Sequence, residues 1–130
     1  MKKVLFACVE NAGRSQMAEG FFKKLAPDGY QGISAGTVPV SKINPLAIQA
    51  MKEVDIDISQ NQSKLITNEM ISESNSVVNM GCMDKESCPA LFVEEIDDWD
   101  IEDPKGKSIE EIRKIRDSIE TKVKKLVSEL

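Results

Sequence analysis

Histidine is absent from the 130 residues, and aromatic side chains are scarce, with one tryptophan and one tyrosine. The first absence removes Ser-His-Asp and Cys-His catalysis, and a zinc site would have to be assembled from cysteine and carboxylate alone. Any nucleophile must therefore be activated by fixed electrostatics. Long apolar runs are missing too. The N-terminal run from Val4 to Val9 stops at Glu10, too short for the apolar core of a secretory signal, and no later segment approaches membrane-spanning length. A soluble, cytoplasmic protein is expected. The cysteines number three, an odd count that suits no closed disulfide framework in a reducing compartment and leaves thiol for chemistry or burial.

The formal net charge is -5, so no long-range pull toward nucleic-acid phosphates is expected, and neither nucleic acid nor membrane is a predicted partner. With 41% hydrophobic residues, the chain can close one core and is too short to need two, which predicts a single domain over residues 1–130 and a monomer. No repeat, low-complexity tract or linker divides it.

Hydrophobic patterning predicts alternating strands and helices. Residues 3–7 (Lys-Val-Leu-Phe-Ala) read as a buried strand, and Met17, Ala18, Phe21, Phe22 and Leu25 then recur at helical spacing until Pro27. A second strand is predicted at Gly32-Ile33-Ser34, closed by Gly36. Asn44-Pro45 opens a helix with Ala47, Ile48, Met51 and Val54 on its apolar face, and Thr67 caps a short one through Met70 and Ile71. Residues 76–80 read as a third strand and Leu91-Phe92-Val93 as a fourth. Ser108 and Glu111 have capping-box spacing ahead of a stripe of Ile109, Ile112, Ile115, Ile119, Val123, Leu126 and Leu130. The expected architecture is three-layer α/β/α, a central four-stranded parallel sheet covered on both faces. Ligands of such sheets bind beyond the carboxyl ends of the strands. Cys8, Cys82 and the loop holding Asp103 should all open onto that edge.

The loop after the first strand carries the strongest signal. Five residues, Val9, Glu10, Asn11, Ala12 and Gly13, separate Cys8 from Arg14-Ser15. That length lets the backbone curl so that successive N–H groups point inward as an anion nest, with Gly13 free to take a positive φ. The nest would open the first helix, whose N-terminus adds positive partial charge, and Arg14 could hold two oxygens of a tetrahedral anion in its fork. A thiolate at Cys8 would lie in the same field, with Ser15 donating to the sulfur. A lone cysteine at a strand end is as easily a small buried hydrophobe; the combination with Arg14 and Ser15 at a strand-to-helix turn favours an oxyanion site. The Gly-Lys-Ser/Thr ending of a nucleotide P-loop is absent.

With "CVENAGRSQMAEG" near the N-terminus, "SAGT" at 34–37, "NPLAIQAMKEVDIDIS" at 44–59 and "EDP" at 102–104, the chain resembles the low-molecular-weight protein tyrosine phosphatases, and among them the thioredoxin-coupled arsenate reductases. The resemblance implies a flavodoxin-like strand order. It implies Cys8 as nucleophile, Arg14 as the oxyanion grip, Ser15 as support for the thiolate, Asn11 as a brace of the loop, and Asp103 as the acid that protonates the departing oxygen. Cys82 and Cys88, with five residues between them, fit neither a Cys-x-x-Cys redox turn nor a four-ligand zinc site. Beside Cys8 they suggest a relay in which a Cys8–Cys82 disulfide passes its oxidation to a Cys82–Cys88 pair reduced by thioredoxin. Because a disulfide brings its Cα atoms to roughly 4.4–6.8 Å, the 80–90 segment would have to move during the cycle.

Departures from the family pattern are also visible. Glu10 stands where the family usually has glycine, a costly place for a carboxylate unless it turns outward. Gly13 stands where many of the reductases have another cysteine, and the Cys82 to Cys88 spacing is one residue shorter than the resemblance implies. Some of these reductases hold potassium near the loop; Asn11, Glu19 and Ser34 match three ligands, while Lys64 stands near the missing aspartate. Its ammonium is expected to replace the cation, so no metal or other cofactor is expected.

The resemblance therefore implies an arsenate reductase, with phosphate as a competing oxyanion. A low-molecular-weight phosphatase using Cys8, Arg14 and Asp103 is the alternative, and a non-enzymatic redox or anion-binding module a third. Cys82 and Cys88 favour reduction, since phosphorus is not reduced by a second thiol. The lone Tyr30 and the Lys105-Gly106 pair after the Asp-Pro do not suggest a phosphotyrosine cleft.

Overall fold

The computed structural model describes residues 2–80, 96–99, 101–102 and 104–130. Cys82, Cys88, Asp103 and the strand predicted at 91–93 lie outside the described residues. The elements run β1 (Lys2–Cys8), α1 (Arg14–Leu25), β2 (Tyr30–Gly36), α2 (Pro45–Lys52), α3 (Asn68–Glu73), β3 (Ser76–Asn79), β4 (Ile96–Asp98) and α4 (Ile109–Ser128). The four described strands form one sheet in the order β2-β1-β3-β4. Every neighbouring pair is parallel, a pairing that no tight hairpin can connect.

β1 is nearly continuous in apolar residues because both faces of the sheet are covered. Its alternation sorts the core in two. Val4, Phe6 and Cys8 join the cluster of Met17, Phe21, Met51, Ile115 and Ile119. Leu5 and Ala7 turn the other way, to Ala35, Ile66 and Val77, with Met70 and Ile71 of α3 packed against them. Phe6 sits between two aromatic rings, with centroids 5.7 Å from Phe22 and 5.8 Å from Trp99.

The local signals act as chemistry predicts. The Asn44 side chain accepts from the N–H groups of Leu46 and Ala47, and that of Thr67 accepts from Met70. The Ser108 side chain accepts from the Glu111 N–H. These satisfy donors that the first turn of a helix leaves without partners. The α4 stripe is buried at Ile112, Ile115, Ile119 and Val123, whereas Leu130 lies past the helix end and is exposed. α1 begins at Arg14, directly after the loop as expected, and every residue from Arg14 to Phe22 is buried, polar ones included. Its first turn faces the site instead of solvent. Among the described residues no helix is long and apolar enough to cross a membrane.

Candidate active site

β1 delivers Cys8 to the carboxyl edge of the sheet with 2% of its surface exposed. The chain then turns through 9–13 and enters α1. The carbonyls of Cys8, Val9, Glu10 and Ala12 accept hydrogen bonds from the N–H groups of Thr37, Val38, Val40 and Asn44. That bracing turns the carbonyl side of the loop toward the 37–44 segment and frees its N–H side for the sulfur. The Asn11 N–H lies 3.2 Å from Cys8 Sγ. Gly36 allows the close fit, because a Cβ there would run into the Val9 carbonyl oxygen.

Ser15 Oγ lies 2.8 Å from Cys8 Sγ and also accepts the Asn11 side-chain amide at 2.8 Å. The amide nitrogen can only donate, which leaves the serine hydroxyl its own proton and one lone pair for the contact with the sulfur. Cys8 Sγ thus has two polar partners in a buried loop, the Asn11 N–H and the Ser15 hydroxyl.

The loop is held by a network that spacing alone did not reveal. Asn11, not Gly13, adopts the left-handed conformation, with φ 52°; Gly13 has φ -143°. Asparagine tolerates this region because its short polar side chain can bond locally. Asn11 Oδ1 accepts from the Lys64 N–H at 2.8 Å and from Gln16 Nε2 at 3.1 Å. Gln16, fully buried, also donates to the Asn11 and Gln62 carbonyls and accepts from Asn61. Gly13 is needed for space, since a Cβ there would lie 2.7 Å from Pro104 Cγ.

Arg14 is 8% exposed, and its Nη1 donates to the Ile101 carbonyl at 3.0 Å. The guanidinium is thus tethered to the backbone at Ile101. Cys8 and Arg14 line a cleft of about 340 Å³, whose walls are Glu10, Ala12, Gly13, Val40, Lys42–Pro45 and Pro104–Gly106. No aromatic side chain lines it among the described residues. Tyr30 stands at the opposite end of the strands, against Lys2. Glu10 does not turn away from the cleft; its carboxylate pairs with Lys105 at 3.4 Å.

The oxygens matched to a potassium site are those of Asn11, Glu19 and Ser34. Asn11 Oδ1 is engaged by two N–H donors, and Glu19 pairs with Lys23 at 3.9 Å. Ser34 Oγ is buried without a hydrogen-bond partner among the described residues. The Lys64 ammonium, expected to take the cation's place, instead donates to the Gln62 carbonyl in an exposed position. It is the Lys64 backbone that serves the loop.

Comparison with known proteins agrees with this geometry. The arsenate reductase of Staphylococcus aureus strain N315 is 41% identical over 126 residues, spanning 95% of each chain. A solved structure of an arsenate reductase in the phosphate-binding state superposes with a TM-score of 0.87 at 37% identity, over 99% of this chain and 98% of that one. A thioredoxin-dependent arsenate reductase from Corynebacterium glutamicum gives a TM-score of 0.82 at 33% identity, over 99% of this chain and 61% of that one. The family model for low-molecular-weight phosphotyrosine protein phosphatase matches residues 3–130, and the chain belongs to that family.

Proposed function

We propose that the protein is an arsenate reductase that uses Cys8 as nucleophile and thioredoxin as final reductant. The observation that carries the reading is the buried Cys8 sulfur, which receives the Asn11 N–H, lies 2.8 Å from Ser15 Oγ and opens into the same cleft as Arg14. A nucleophile so held needs no histidine. The similarity to arsenate reductases over nearly the whole chain supports the choice of substrate.

In the first step Cys8 attacks arsenic, an S–As bond forms, and one oxygen leaves as water with a proton from Asp103. Arg14 and the N–H side of the loop hold the remaining oxygens. Cys82, as thiolate, then attacks Cys8 Sγ. The S–S bond forms, the S–As bond breaks, and its electron pair stays on arsenic, which departs as arsenite. Cys88 attacks Cys82 Sγ and releases Cys8 as thiolate. The Cys82–Cys88 disulfide is returned to two thiols by the dithiol of thioredoxin.

The test is arsenate-dependent loss of NADPH with thioredoxin and thioredoxin reductase, scored together with arsenite formed. Wild type is expected to turn over repeatedly, and Cys8→Ser, Cys82→Ser and Cys88→Ser each to lose sustained turnover. The family itself supports a second reading, phosphate-ester hydrolysis by Cys8, Arg14 and Asp103. Hydrolysis that depends on Cys8 and persists in the other two variants, without arsenate turnover, would establish that reading instead.

A further inference from the structure

We propose that Glu10 and Lys105 form a size gate at the rim of the cleft, admitting a bare tetrahedral oxyanion and disfavouring one esterified to an organic group. The inference rests on the reading of the cleft as an oxyanion site. The two residues are 95 positions apart in sequence, yet Glu10 Oε2 and Lys105 Nζ lie 3.4 Å from one another. The Glu10 side chain is 28% exposed and that of Lys105 73%, so the carboxylate reaches inward and the ammonium lies over it from the solvent side. Both line the same cleft as Cys8 and Arg14.

The backbone at each end of the pair is anchored. The Glu10 carbonyl accepts from the Val40 N–H at 3.2 Å. Pro104, next to Lys105, packs so closely on Gly13 that no Cβ fits between them. The bridge therefore spans a fixed gap between the anion loop and the opposite wall. A free oxyanion needs only the floor of the cleft. An ester must also pass its organic group out over the rim, where the bridge stands. The ammonium explains how a carboxylate is tolerated here, since it offsets repulsion between Glu10 and a bound anion.

The gate predicts that opening it from either side has the same effect. Wild type, Glu10→Ala and Lys105→Ala would be compared for affinity toward inorganic phosphate by calorimetry and for kcat/KM in hydrolysis of p-nitrophenyl phosphate. Partly exposed ion pairs are weak, so the ratio of ester kcat/KM to phosphate affinity is expected to rise by about two- to fivefold in both variants. An unchanged ratio in both would overturn the gate. So would shifts in opposite directions, the result of a purely electrostatic role, and so would absence of ester hydrolysis in all three proteins. Should Glu10→Ala not fold, Lys105→Ala beside Lys105→Met carries the same test. Arsenate reduction is scored separately in each preparation. Its absence with the ratio still rising would overturn the reductase reading and support the gate.

Discussion

Two polar networks of this protein are assembled from similar groups under opposite conditions. At the carboxyl end of β1, Asn11, Ser15 and Gln16 are fully buried and bonded to one another, to Cys8 Sγ and to the Lys64 N–H. Between α2 and α4, Glu53 accepts from Arg113 and Arg116 at 2.7 and 2.9 Å in a largely exposed setting. In the first network no water stands ready to replace a missing partner, so each deletion leaves a buried donor or acceptor without one. In the second, solvent takes over whatever is removed. The contrast separates a network that fixes a reacting atom from one that fastens two helices.

Removing the most connected member of the buried network should have the largest effect. Asn11→Ala deletes the amide that serves Ser15, Gln16 and Lys64, and places a less tolerant residue at a positive φ. A loss of about 2–4 kcal/mol is expected from denaturant unfolding, with a fall in turnover because the Ser15 hydroxyl is no longer held beside the sulfur. If Asn11→Ala were as stable as wild type, the contrast between the networks would fail.

Gln16→Leu sharpens the comparison, since Gln16 bonds the loop without touching Cys8. A stability loss of roughly 1–3 kcal/mol is expected, with a smaller fall in kcat than in Asn11→Ala. Equal falls in kcat would show that the outer bonds of the network position the sulfur as strictly as the inner ones.

The smallest effect belongs to Glu53→Gln, and it should depend on pH. The hydrogen bond from Arg113 is the largest influence on Glu53; burial, the next largest, opposes it, but the bond, together with the charge of Arg113 and the hydrogen bond and charge of Arg116, holds the carboxyl below its ordinary value of 4.5. Arg113 is shifted upward by the same bond. A carboxyl lowered on folding stabilises the folded state above its unfolded value and loses that contribution as pH falls through the folded one. The difference in Tm between wild type and Glu53→Gln should therefore be present above pH 4.5 and vanish at lower pH. A difference that grew on acidification would mean the pair does not stabilise the fold.

Much of the site was legible because it is local. Strand, loop and helix follow from apolar patterning and from Pro27, and Cys8, Arg14 and Ser15 lie within eight residues of one another. The caps at Asn44, Thr67 and Ser108 are likewise contacts within one helical turn. What could not be read is long-range. Gly13 was the natural candidate for a positive φ, yet Asn11 takes it, because its side chain meets Gln16 and a backbone N–H from 53 residues away. Glu10 looked misplaced until Lys105 stood beside it.

The sequence by itself determined the alternation of strands and helices, the Cys-x5-Arg-Ser loop and the exclusion of histidine chemistry, since each depends on neighbours in the chain or on which side chains exist. Tertiary structure alone decided which donors face the sulfur, why position 13 must be empty beside Pro104, and what pairs with Glu10. Those depend on distances between segments far apart in sequence, set only when the parallel sheet brings the ends of its strands to one edge.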